Sequence, residues 1–175
     1  EIVPFLTHFV EAGHKNLFIV SDGIERQAMI ILAENFAKGV INVLPVGSPS
    51  FGDNKRSALE DIAILTGGKF ISKEIGMKIE EIVIEDLGRA DLVTSTQEST
   101  LLIGGKGTKE EIKARVEQIE EQLNEGEHEY LKEKYQERLA KLSSGVAIIK
   151  VGTASDTENR EKIERVRDAI GATKA

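Results

Sequence analysis

A chain of 175 residues, 40% of them hydrophobic, can build one ordinary core or one domain with an appendage, which excludes a disordered protein. Its 23 Lys and Arg stand against 30 Asp and Glu, and the net charge of −7 opposes binding to a nucleic-acid backbone, where affinity comes largely from basic side chains neutralising phosphates. Cys and Trp are absent, and no run approaches the roughly 20 apolar residues of a membrane span.

The opening Glu1-Ile2-Val3-Pro4 lacks the basic region and cleavage site of a signal peptide, so a cytoplasmic location with neither nucleic-acid nor membrane partners is expected. The chain starts inside a helical pattern: Ile2, Phe5 and Phe9 form one apolar stripe, and Val3, Leu6 and Val10 form a second beside it. No capping residue precedes them, which suggests a longer protein cut at this point. Gly13 ends the helix, and 16–20 reads as a short buried strand. Asp22 stands where an N-cap would, before a helix from about Glu25 to Lys38 closed by Gly39, and 41–46 is a second strand. This alternation predicts an α/β layer.

Asp53, in the turn 49–53, can cap a helix that carries Ala58, Leu59, Ile62 and Leu65 on one face and ends at Gly67-Gly68. A strand is expected at 69–72, the region 74–87 is ambiguous between strand and irregular structure, and 90–95 with 99–103 predicts a hairpin. From Lys109 the period changes. Ile112, Val116, Ile119 and Leu123, then Leu131, Tyr135, Leu139 and Leu142, mark two antiparallel helices packed by their stripes. Beyond a joint at 143–145, an apolar strand at 146–151 and a charged helix at 159–170 are expected.

Chemical signatures are scarce. Gly104-Gly105-Lys106-Gly107-Thr108 precedes a helix, but a phosphate loop needs Gly-Lys followed directly by Ser or Thr, and Gly107 intervenes. A turn is the simpler reading, with a small α/β enzyme binding an anion near Lys106 as the alternative. His8, His14 and His128 lie far apart without acidic partners at ligand spacing, so no metal site is predicted.

Apolar surface is over-supplied instead. Ala28-Met29-Ile30-Ile31-Leu32-Ala33 is apolar without interruption, and its helical projection exceeds the ~100° stripe that a one-sided core contact requires. Two readings stay open: burial of this helix on two sides, or a groove, formed with the surplus edge of the first helix, for a hydrophobic partner segment. Met29 suits the second, because its flexible thioether adapts to varied partners. A third reading is a helical-hairpin scaffold built on 109–142.

At Pro49-Ser50-Phe51-Gly52-Asp53, Leu59-Glu60-Asp61-Ile62-Ala63-Ile64-Leu65-Thr66-Gly67-Gly68 and Ile71-Ser72-Lys73-Glu74-Ile75-Gly76-Met77 the chain resembles the group I chaperonins, the bacterial GroEL family. The resemblance continues at Glu85-Asp86-Leu87-Gly88, Gln136-Glu137-Arg138-Leu139-Ala140-Lys141-Leu142 and Gly145-Val146-Ala147-Ile148-Ile149-Lys150-Val151-Gly152, in family order and over essentially the whole chain. It implies an α/β fold of the chaperonin apical-domain type, with swivelling β/β/α layers and a helical hairpin. Residues 1–145 would be the apical polypeptide-binding domain without its N-terminal part, and 146–175 the start of an intermediate-domain segment; the equatorial ATPase domain would be absent.

Family members bind non-native polypeptides and a co-chaperonin lid on apical domains of homo-oligomeric, seven-membered rings, in a cycle driven by ATP and Mg. By resemblance the apolar contact positions fall on Val3, Leu6, Met29 and Ala33. The next, normally apolar, falls on Glu34, a departure that narrows the greasy edge. Asp168 matches the aspartate that swings onto the nucleotide site, and Ser144-Gly145 matches the upper hinge, with Ser in place of the first of two usual glycines. The chain alone is expected to hold no cofactor and to hydrolyse no ATP; the ATPase would belong to the full subunit.

Overall fold

The computed structural model describes residues 2–50, 52, 54–96, 99–125, 128–143 and 164–165. The chain divides into two compact units, 1–144 and 145–175, and the elements named below belong to the first. Asp53, Ser144, Gly145, Asp168 and the strand expected at 146–151 lie outside the described residues; of the helix expected at 159–170, residues 164 and 165 are described and are helical.

The first half is a βαβ unit with a helix ahead of it: α1 (Ile2–Glu11), β1 (Asn16–Ser21), α2 (Arg26–Ala37) and β2 (Asn42–Gly47). β1 and β2 pair in parallel, Leu17 opposite Val43 and Phe18 opposite Leu44, with α2 as the crossover that parallel pairing requires. Gly13 takes a φ of 82° that a residue with a Cβ rarely adopts, which stops α1 and turns the chain into β1. The core forms here, from Phe5, Leu6 and Phe9 of α1, Leu17 of β1, Leu32 of α2, Ile41 and Ile82. Phe5 and Phe9 stack tilted at 6.0 Å, and His14 stacks on Phe9 at 5.3 Å.

Two expectations need correction. Asp22 does not cap α2: the N-cap is Glu25, which makes no side-chain cap bond, and the Asp22 carboxylate instead pairs with Lys55 of α3 (Asn54–Thr66). Residues 69–72 do not form a strand. The Lys69 amide donates to the Asp86 carbonyl at 2.8 Å, but the Ser72 carbonyl is taken by the amides of Ile75 and Met77, so the chain coils forward instead of building a ladder. The ambiguous stretch that follows holds three short 3-10 turns, Lys73–Ile75, Ile79–Glu81 and Ile84–Asp86.

The expected hairpins are both present. β3 (Leu92–Ser95) and β4 (Thr100–Ile103) pair antiparallel, and α4 (Lys109–Glu125) packs on α5 (Glu129–Ser143). Ile119 and Leu142 are the buried positions of the helical pair. Thr108 starts α4 with reciprocal bonds: its hydroxyl oxygen accepts the Glu111 amide at 3.2 Å and its O–H donates to the Glu111 carboxylate at 2.6 Å.

Between these parts three backbone segments cross at the C-terminus of α3. Arg89 donates its amide to the Thr66 carbonyl at 2.8 Å, Lys106 donates to Arg89 at 2.9 Å and Gly107 donates to Leu65 at 3.0 Å. The crossing is so tight that a Cβ on Gly107 would overlap the Ile64 carbonyl oxygen, one on Gly105 that of Leu65, and one on Gly68 the Gly88 backbone. Here glycine is required by close approach of chains.

Candidate functional site

Helical geometry explains how the apolar surplus of α2 is divided. At about 100° per residue, the covered side of the helix runs through Ala28, Leu32 and Asn35 to Ile31, while Phe36, Met29, Ala33, Ala37 and Ile30 fill an adjoining arc of about 120°. That second arc faces outward: Met29 is 40% exposed, Ile30 51% and Phe36 56%. Glu34 follows Ile30 on the projection and closes the arc with a carboxylate held 3.9 Å from the Lys38 ammonium. The cause is the excess of apolar residues over what one sheet face can cover. Leu32 is enclosed, while Met29, Ile30 and Phe36 on the adjoining arc stay exposed.

On α1 the covered arc runs from Phe5 through Phe9 and Ile2 to Leu6, and Val3 and Val10 lie just beyond it. Val3 is 49% exposed. Leu6, expected on the outer edge with Val3, is only 6% exposed, because its position on the projection still falls within the arc that faces the core. It is a core residue. Of the other expected contact positions, Val3, Met29, Ala33 and Glu34 are exposed. Ile30 and Phe36 are larger than Ala33 and likewise exposed; Ile30, about 160° around the helix from Leu32, is the one that a projection centred on Leu32 ranks first.

Val3 and Met29 are not among the residues that line the large cleft. That cleft, about 1310 Å³, is lined by residues of the β1–β2 sheet and the β3–β4 hairpin, among them Phe18, Leu44, Leu92 and Leu102, and by Phe70. Phe36, at one end of the arc, also lines this cleft. The exposed helix edge is apolar and suited to burying apolar side chains of another chain.

The glycine-rich loop at 104–107 has a structural account. Two of its amides, on Lys106 and Gly107, already donate to protein carbonyls, and the Lys106 ammonium pairs with Asp91 at 2.6 Å. A phosphate cradle needs such amides free and convergent. The glycines serve the crossing under α3.

A charge cluster that the sequence reading passed over lies at the other end of the molecule's chemistry. Asp61 of α3 is 7% exposed, and its carboxylate accepts from Arg115 Nε at 2.8 Å and from Arg138 Nε and Nη2 at 2.7 and 3.0 Å. Arg115 Nη2 also donates to Glu60 at 3.0 Å, and Arg56 Nε reaches the second Glu60 oxygen at 2.9 Å. The Arg56 guanidinium is held above its ordinary pKa, first by that hydrogen bond and then by the Glu60 charge. The signal was legible in the sequence: Asp61 occupies the i+3 position of the stripe Ala58, Ile62, Leu65, where an apolar residue is the norm.

No family model matches the chain. Among solved structures it is similar to the chaperonin gp146 from the bacteriophage EL 2 (Pseudomonas aeruginosa), crystallised in the presence of ATP-BeFx, with 20% sequence identity and a TM-score of 0.56. The match covers 97% of this chain and 34% of that one, so the chain spans about a third of that chaperonin's length. Its mixed α/β fold is chaperonin-like.

Proposed function

We propose that the chain is the polypeptide-binding part of a chaperonin subunit of the group I type, an apical domain that captures non-native proteins on the outer edges of α1 and α2. The observation that carries this reading is the outward arc of Met29, Ile30, Phe36 and Ala33 on a chaperonin-like fold, with Val3 and Val10 of α1 beside the same core. Unfolded chains expose apolar side chains, and their burial is worth about 25 cal/mol per Å². An edge of a few hundred Å² therefore binds weakly once the cost of association is subtracted, on the order of a millimolar-to-micromolar contact. Several copies in a ring raise the effective concentration and turn weak edges into firm capture. A co-chaperonin lid competing for the same edges would release the captured chain.

ATP hydrolysis belongs, in this proposal, to the complete subunit, with Asp168 reaching a nucleotide and Mg held by an equatorial domain, and with Ser144-Gly145 as the hinge. Glu34 limits the edge on one side and favours clients whose apolar segments are short or flanked by basic residues.

The test is aggregation of a chemically unfolded protein, followed by light scattering without nucleotide, in the presence of the chain at micromolar concentration. The parent is expected to slow aggregation; Met29→Glu and Ile30→Glu are expected to abolish protection while leaving the circular-dichroism melt unchanged, since both side chains point outward. Protection that survives both substitutions would remove α2 from the proposal.

A further inference from the structure

The apolar core and the helical hairpin are separate constructions. Among the described residues, every member of the core cluster, including the half-buried residues packed on it, comes from α1 to β2 or from 71–87, and none from α3, α4 or α5. The hairpin has buried residues of its own, Ile119 of α4 and Leu142 of α5, and its two helices pack on one another. Both helices are tied to α3 by charge. Arg115 comes from α4 and Arg138 from α5, and both guanidiniums converge on the one carboxylate of Asp61, whose two oxygens accept three hydrogen bonds. Glu60 takes the Nη2 arm of Arg115 on one oxygen and Arg56 on the other, and the side chains of Arg115 and Arg138 are only 16% and 11% exposed.

We infer that Asp61 is the clasp of a detachable hairpin: α4 and α5 dock on α3 as one unit, joined at the one carboxylate that both helices share, and can leave it while the apolar core stays folded. The physical reason is the asymmetry of buried charge. Paired, the two guanidiniums and the carboxylate satisfy one another; without the carboxylate, Arg138 loses both of its bonds to α3 and Arg115 keeps its arm to Glu60, and undocking, which rehydrates the stranded charge, becomes the favourable state. The pivot is built in as well. Gly107 is bonded to Leu65, and Thr108 caps α4 immediately after it, so the N-terminal end of α4 stays anchored to α3 when the clasp opens. The role of Asp61 is positional, and it does not depend on what α1 and α2 bind.

Native-state hydrogen exchange on the full chain, read by mass spectrometry or NMR, tests this. In Asp61→Asn the amides of α4 and α5 are expected to exchange on the order of 100-fold faster than in the parent, as loss of one partner from a buried ion pair predicts. The amides of β1, β2 and the middle of α2 are expected to stay within about threefold of the parent. Arg138→Gln keeps the Arg115 leg, and its effect on the hairpin is expected to be at least several-fold smaller. Unchanged exchange in α4 and α5, or equal acceleration in β1 and β2, would overturn the clasp. An Arg138→Gln effect as large as that of Asp61→Asn would overturn the shared carboxylate.

Discussion

The two halves of the first unit solve the same problem with different materials. From α1 to β2, position is set by apolar burial: Leu32 and Ile41 are enclosed, and the supply of apolar residues exceeds the space, so Ile30 and Phe36 are left facing out. From α3 to α5, position is set by a shared carboxylate and by a crossing of backbones too close for side chains. Apolar burial is non-directional and tolerates surplus, which is what a surface meant for many partners needs. Hydrogen-bonded charge and glycine contacts are directional, which is what a rigid frame needs. The difference separates substitutions that should alter binding from those that should alter the frame.

The largest effect should come from the centre of the first half. Leu32→Ala removes an enclosed side chain and is expected to lower stability by about 2–5 kcal/mol, measured by urea titration. Leu6→Ala should fall in the same range, while Val3→Ala and Met29→Ala, on the outer edge, should stay within about 1 kcal/mol of the parent. A Leu6 variant as mild as the Val3 variant would return Leu6 to the outer edge and blur the line between core and surface.

This pair of residues also marks how far the sequence could be read. Helix periods gave α1, α2, α4 and α5 to within a few residues, and alternation gave the β3–β4 hairpin, because each signal is local and repeats. The excess on α2 was equally plain from Met29-Ile30-Ile31-Leu32. What the period could not decide was which of two adjacent stripes turns inward, since Leu6 and Val10 differ by only about 40° around the helix. The strand expected at 69–72 failed for a related reason: Phe70 and Ile71 have β-favouring side chains, but a strand needs a neighbouring ladder, and Ser72 commits the backbone to a turn. Asp22 looked like a cap by position, yet Lys55, distant in sequence, claims it. Asp61, Arg115 and Arg138 are separated by 54 and 77 positions, and no spacing rule connects them.

A smaller effect is expected at the crossing. Gly107→Ala places a methyl group against the Ile64 and Leu65 carbonyls, which the backbone must move to accept, and is expected to cost about 1–3 kcal/mol by thermal or urea denaturation. Gly23→Ala, where an added Cβ meets nothing within 4 Å, is the control and should remain within about 0.5 kcal/mol of the parent. If the loop served an anion instead of the frame, phosphate would raise the melting temperature of the parent and Lys106→Ala would erase that rise. The bonded amides of Lys106 and Gly107 lead us to expect no phosphate effect.

The smallest effect separates the halves by pH. Asp86, buried at the end of the last 3-10 turn, accepts from the Lys69 ammonium at 2.6 Å and from the Val83 amide at 3.2 Å, and these bonds hold its carboxyl below the ordinary carboxylate pKa. In the unfolded chain the same group titrates near its usual value of about 3.9. A folded pKa lowered in this way stabilises the fold in full above the unfolded value and is lost as pH falls toward the folded one, because the unfolded state then binds the proton more readily. The urea midpoint of Asp86→Asn should therefore lie below that of the parent at pH 7, and the gap should close as pH falls through about 4 and below. Lys69 is two-thirds exposed, so high salt should narrow the neutral-pH gap as well. A gap that stays constant down to about pH 3 would mean the Lys69 and Val83 bonds do not favour the ionised form. The anchoring of the 3-10 segment beneath α3 would then rest on the Lys69 amide bonded to the Asp86 carbonyl, a contact that the Asn variant keeps.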